Sequence, residues 1–173
     1  MIDWTLVKAL AIPNVGGWAS ALTMAGQVRS PSGKAWYDHL KKPTWNPPKW
    51  VFGPAWTVLY TGMGYASYIV YEDCGGFTEN ALVPLSLFGT QLIFNWTWSP
   101  IFFKFHKIGL AFIHMIALDV AAGACTISFF NVNKKTLYFM APYMCWLTFA
   151  SFLNYTIWKL NPDVPKDPNN KDD

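Results

Sequence analysis

Charge is what this chain has least of. Only 13% of its 173 residues are Asp, Glu, Lys or Arg, and 53% are hydrophobic, whereas soluble domains carry about 25% charged residues. A soluble fold with half that charge would struggle to cover itself in polar surface. Cysteine is also scarce. Cys74, Cys125 and Cys145 are odd in number and widely spaced. They suggest neither a disulfide framework nor a metal site and read as small buried hydrophobes. No GxSxG, HExxH, CxxC or phosphate-loop lysine motif occurs, and His39, His106 and His114 are scattered, so no catalytic centre, metal or cofactor is expected. The opening MIDWTLVKAL lacks a basic leader region and the Arg-rich look of a matrix presequence. The first hydrophobic segment is therefore expected to stay in the mature protein. Length predicts one domain.

What the chain has instead is aromatic and apolar. Ten Trp, 8 Tyr and 13 Phe make 18% of it, and such rings collect at bilayer interfaces and in ligand pockets. Five stretches of low charge, 9–28, 51–71, 80–103, 108–133 and 136–158, are each long enough to cross about 30 Å of hydrocarbon. The second and third have almost no polar face, which a buried helix of a soluble protein would keep, and no ten-residue alternation suggests a β-barrel. The expected fold is an all-α membrane protein: a five-helix transmembrane bundle over 1–158 with a long first loop, and a disordered polar tail over 159–173.

Five crossings place the termini on opposite sides. Arg29, Lys34, Lys41, Lys42, Lys49, Lys104, Lys107, Lys159, Lys166 and Lys171 fall on one side, and only Lys8, Lys134 and Lys135 on the other. The positive-inside rule puts the first loop and the C-terminus in the cytosol. That loop holds KKPTWNPPKWVFGPAW, with two adjacent lysines, four prolines and three tryptophans. Prolines stiffen such a strap. Its lysines suit lipid headgroups as well as an anionic ligand, and the loop offers no base-reading chemistry for nucleic acid.

Small residues at four-residue spacing, Gly16/Ser20, Gly17/Ala21/Ala25 and Ala117/Ala121 with Gly123, suit close helix packing and lead to an expected homodimer. Pro13, Pro54, Pro84, Pro100 and Pro142 each free a carbonyl that something must satisfy. Asp119, a carboxylate inside a span, is expected to hydrogen-bond a neighbouring helix, with a His114 relay the alternative. Asn95 and Asn154, set among aromatics, either orient a ligand or staple helices.

WYDHLKKPTWNPPKWVFGPAWTVLYTGMGYASYIV, GTQLIFNWTWSPIFF and WLTFASFLNYTIWK together resemble the TspO/MBR family, and EDCGGFTENALVPL is similar to its animal members. The resemblance covers the chain to about Trp158. It implies a five-helix receptor or transport protein of the mitochondrial outer membrane that binds porphyrins, cholesterol and synthetic benzodiazepine or isoquinoline compounds. It implies a pocket of Phe52, Trp56, Tyr60, Asn95, Trp146, Ala150 and Leu153 under a lid containing Trp36, Pro43, Trp45, Pro47, Pro48, Lys49 and Trp50. It further implies cholesterol binding at Leu153, Tyr155 and Lys159, which fit the L/V-x₁₋₅-Y-x₁₋₅-K/R pattern. Expected partners are therefore cholesterol, porphyrins, the lipid bilayer and outer-membrane proteins. Oxidative porphyrin breakdown at Trp56 and Trp146, or a purely structural scaffold, are the alternatives. Position 110 is Leu where many animal members carry Trp, which puts affinity for the drug-like ligands in question.

Overall fold

The computed structural model describes residues 2–24, 27–28 and 35–163. The described residues form six α-helices and no strands: α1 Trp4–Leu22, α2 Trp36–His39, α3 Lys49–Asp73, α4 Glu79–Ser99, α5 Ile108–Val132 and α6 Leu137–Leu160. All but α2 run 19 to 25 residues, about 28 to 38 Å at 1.5 Å per residue. Asp3 caps α1 by accepting from the Thr5 and Leu6 amides, and the α3–α4 turn places Gly75 and Gly76 at φ +73° and +98°, which glycine tolerates. The first helix starts and ends earlier than the 9–28 expected. Lys159 and Leu160, assigned to the tail, belong to α6, and Asn161 is buried. Ala25, Arg29, Lys34 and the tail from 164 onward lie outside the described residues.

The long helices close a ring in the order α1, α3, α6, α5, α4. Polar side chains lie within its mainly apolar interior, and large apolar ones cover its outside. Gln91 and Thr136 are fully buried, with Asn154, Asn95 and Ser151 nearly so, while Trp18, Val58, Ile93, Val120 and Phe152 lie 58–70% exposed. Hydrocarbon, not water, suits that outer surface. By length and composition, α5 and the segment Lys134–Leu160 qualify individually as membrane-crossing helices.

Prolines explain much of the packing. A proline has no N–H for the carbonyl four residues earlier. Pro100 thus frees the Trp96 carbonyl, and the Ser20 hydroxyl of α1 donates to it. Past Pro100 the chain widens into a π turn, Pro100–Lys104, closed by Phe105 N–H to Pro100 O at 3.0 Å, which buries Phe102 and Phe103. Pro13 likewise frees the Ala9 carbonyl, which lies against Gly64. A Cβ there would sit 2.3 Å from that oxygen. Gly16 and Gly17 press equally closely on the rings of Trp96 and Tyr60, at 2.2 Å from such a Cβ. The expected small-residue packing holds on α1, where Gly64 of α3 is its partner. Gly123 meets nothing within 4 Å and takes no part in packing within the chain.

Gly64→Ala should therefore push α1 off α3 and destabilise the bundle by about 2 kcal/mol. Gly89→Ala, where a Cβ meets nothing within 4 Å, should be neutral or slightly stabilising, by up to about 1 kcal/mol. Paired thermal unfolding of the two variants in one detergent checks this; equal melting would refute the close-approach argument.

Candidate functional site

A cavity of about 570 Å³ opens inside the ring, beneath the α1–α3 connection, in the range of ligand pockets. Tyr37, Lys49 and Trp50 line its roof end, Trp56 and Tyr60 the α3 wall, Asn95 and Trp98 the α4 wall, and Leu153, Asn154 and Ile157 the α6 wall. Phe52 and Ala150 also line it. Trp146 does not. It faces an outer groove between α3 and α6, where Pro54, Val58, Pro142 and Cys145 are its neighbours. Trp146 stands behind the cavity wall, edge-on to Phe52 at 5.9 Å and to Trp56 at 6.4 Å. The indole of Trp56 stacks on Tyr60 at 5.4 Å, leaving a wall of flat rings.

The polar groups of the cavity are held by a buried relay. Tyr60 donates to Asn95 Oδ1, Asn95 Nδ2 donates to the Tyr143 hydroxyl at 3.2 Å, and Tyr143 donates to Gln91 Oε1 at 2.6 Å. This ties α3, α4 and α6 together. Asn154 does the same for α4, α5 and α6: its Oδ1 accepts from Trp98 Nε1 at 3.0 Å and its Nδ2 donates to the Ile108 carbonyl at 3.1 Å. Both asparagines staple helices and also line the cavity. Of the two roles posed above, stapling is the one these bonds show, and each amide still faces the cavity. Tyr143 and Gln91 have no local motif to mark them. A fully buried Gln inside an apolar run was the one available signal.

His114 and Asp119 form no relay with each other. His114 Nε2 lies 2.9 Å from the Phe94 carbonyl and 3.1 Å from Thr97 Oγ1 on α4. Asp119 accepts from Ser151 on α6 at 2.6 Å, the bond to a neighbouring helix that was expected. Leu110 is 55% exposed on the outside of α5 and does not line the cavity.

The connection over the cavity is densely anchored. Trp36, fully buried, stacks on His106 at 4.0 Å and meets Phe102 edge-on at 5.9 Å. Trp45 stacks on Phe152 at 5.4 Å. Lys49 pairs with Asp38 and donates to the Val28 carbonyl. The Lys42 ammonium donates to the Tyr37 and Leu40 carbonyls, and partial burial pulls its pKa below the usual lysine value. Burial pushes the Tyr37 phenol up, against the hydrogen bond it makes to Asn46. Pro43, Pro47 and Pro48 flank a turn at Thr44–Trp45, closed by Asn46 N–H to the Pro43 carbonyl at 3.0 Å, between α2 and α3.

Of the sterol pattern, Tyr155 and Lys159 share the outer face of α6, while Leu153 is buried and turned to the cavity. Residues two apart on a helix do not share a face. The outer face instead groups Tyr155 and Trp158 against Phe112, at 5.2 and 5.8 Å, with Lys159 Nζ 4.7 Å over the Trp158 ring.

Comparison with known proteins finds matches over most of the chain. The TspO/MBR family model matches residues 9–159. The translocator protein of Homo sapiens is 41% identical over 149 residues, covering 86% of this chain and 85% of the relative. The tryptophan-rich protein TspO of Archaeoglobus fulgidus is 39% identical over 157 residues, covering 91% and 94%. That of Chlorobaculum tepidum is 36% identical over 148 residues, covering 84% and 92%. These relatives carry translocator or TspO names rather than enzyme names. With matches running across nearly its whole length, and apolar helices that indicate a membrane protein, the chain belongs to the TspO/MBR family.

Proposed function

We propose that this protein is a non-enzymatic receptor or transport protein that crosses the membrane five times, holds flat polycyclic ligands of the porphyrin type in its cavity, and binds cholesterol on the outer face of α6. The observation that carries the reading is the ring-walled cavity with two fixed asparagine amides. Planar aromatic walls suit planar ligands by stacking and apolar burial, and an amide at the wall selects orientation. Lys49, which lines the roof, and Lys41 and Lys42 nearby offer cations to a porphyrin's carboxylates. Benzodiazepine- and isoquinoline-type compounds belong to the same class of occupant.

Tyr155 and Lys159 supply the sterol contact: a ring face for the fused rings and an ammonium at headgroup depth for the hydroxyl. The α1–α3 connection acts as the lid. The lysine-rich side faces the cytosol, in the mitochondrial outer membrane, and the half-exposed small-residue stretch around Gly123 is the expected contact for a homodimer. The name of the human relative, translocator protein, supports the general reading.

Titrating purified protein with protoporphyrin and with cholesterol separates the two sites. Trp56→Ala should weaken porphyrin binding about tenfold, by loss of ring contact and burial, with cholesterol unchanged. Tyr155→Ala should do the reverse, severalfold. If each variant loses both ligands or neither, the two-site reading is wrong.

Oxidative porphyrin breakdown is the rival reading, favoured by the Trp56–Trp146 pair beside the cavity. We expect protoporphyrin to be lost only under illumination, without saturable turnover. Dark turnover abolished by Trp146→Phe would establish an enzyme instead.

A further inference from the structure

We propose that Asn161 is a positioning residue for the cavity, fastening its roof to the end of α6 and setting the rate at which a bound ligand leaves. This inference rests on the cavity being the ligand site. Asn161 follows the last turn of α6 with φ −129° and ψ 68° and is 4% exposed. Its Oδ1 accepts from the Lys41 N–H at 2.9 Å, and its Nδ2 donates to the Lys41 carbonyl at 2.9 Å and to the Ile157 carbonyl at 2.7 Å. One side chain thus pairs with both backbone groups of a residue 120 positions away, as a neighbouring strand would, and holds its own helix with the hydrogen that remains. Asp lacks the donors for this and Gln places them one methylene too far.

The location gives the bonds their consequence. Lys41 lies between Tyr37 and Lys49, both of which line the cavity at its roof, and Ile157 lines its wall. The other ties described between this stretch and α6 are apolar: ring contacts of Trp45 with Phe149 and Phe152, and the buried cluster that Trp36, Tyr37 and Leu40 share with Leu153 and Ile157. Those can slide, whereas a two-way amide bracket sets register and distance. The Lys49–Asp38 pair joins the roof to itself, not to α6.

The test uses the full chain in lipid nanodiscs. Without ligand, Asn161→Ala should lose hydrogen-exchange protection at the Lys41 amide. With protoporphyrin bound, it should release the ligand about tenfold faster, the scale expected from losing two net hydrogen bonds, with its melting temperature lowered by only a few degrees. Asn161→Asp, which keeps only the acceptor, should fall between. A Lys41→Cys/Asn161→Cys pair, in a chain whose native cysteines are replaced by serine, should release slowly when oxidised and fast when reduced, a comparison within one folded protein.

Unchanged Lys41 exchange, or release that follows melting temperature alone, overturns the proposal. So does faster Lys41 exchange with unaltered release, which would make Asn161 a structural clasp only. A wild-type protein that binds no protoporphyrin would instead sink the cavity reading, and the positioning role with it, while the Lys41 exchange result would still report on the clasp.

Discussion

A polar group enclosed by an apolar shell has to find its partner inside the protein, because lipid offers none. Most of this architecture follows from that demand. Five of the prolines sit in or at the end of long helices and free carbonyls there. The Trp96 carbonyl draws in Ser20 of α1, and the Ala9 carbonyl meets the bare backbone of Gly64. These two freed carbonyls thus become points where α1 meets α4 and α3. The asparagines at 95 and 154 act similarly, each joining three helices through one amide. Hydrophobic burial cannot drive helices together in hydrocarbon, so these directional contacts and the glycine approaches decide the arrangement.

The same contacts leave the space that a ligand could fill. Gly17 brings α1 onto the Tyr60 ring, while the π turn after Pro100 turns Phe102 and Phe103 inward below α2. Between those constrictions the walls are held apart by bulky rings stacked on one another rather than filling the centre. The polar relay starts at Tyr60 and Asn95, which line the cavity, and ends at Tyr143 and Gln91, which do not. The Asn95 amide is thus held partly by a residue outside the cavity.

Much of this was legible from residue order. Charge scarcity, the apolar runs and their length identified the membrane class and the approximate helices. The K-P-x-W-x-P-P strap and the flanking tryptophans led to the family; of the residues its resemblance implies for a pocket, Phe52, Trp56, Tyr60, Asn95, Ala150 and Leu153 line the cavity. Two kinds of feature escaped. Trp146 was assigned to the wall but stands behind it, since one position along a helix turns a side chain by about 100° and only the neighbouring helix decides which side is inside. Asn161 was read as part of a polar tail beginning at Lys159, because Lys-Leu-Asn-Pro is what a chain leaving a helix commonly looks like.

Composition and periodicity thus determined what medium the protein lives in, how many long helices it builds and where the aromatic strap lies. These follow from transfer free energies and local geometry, which each residue carries with it. Which carbonyl Ser20 meets, that Asn161 clasps Lys41, and that Leu153 looks inward while Tyr155 looks out depend on the rotation and depth of each helix against its neighbours. Those were decided only by the tertiary structure, because a hydrogen bond between residues 120 positions apart has no signature in the local order of either.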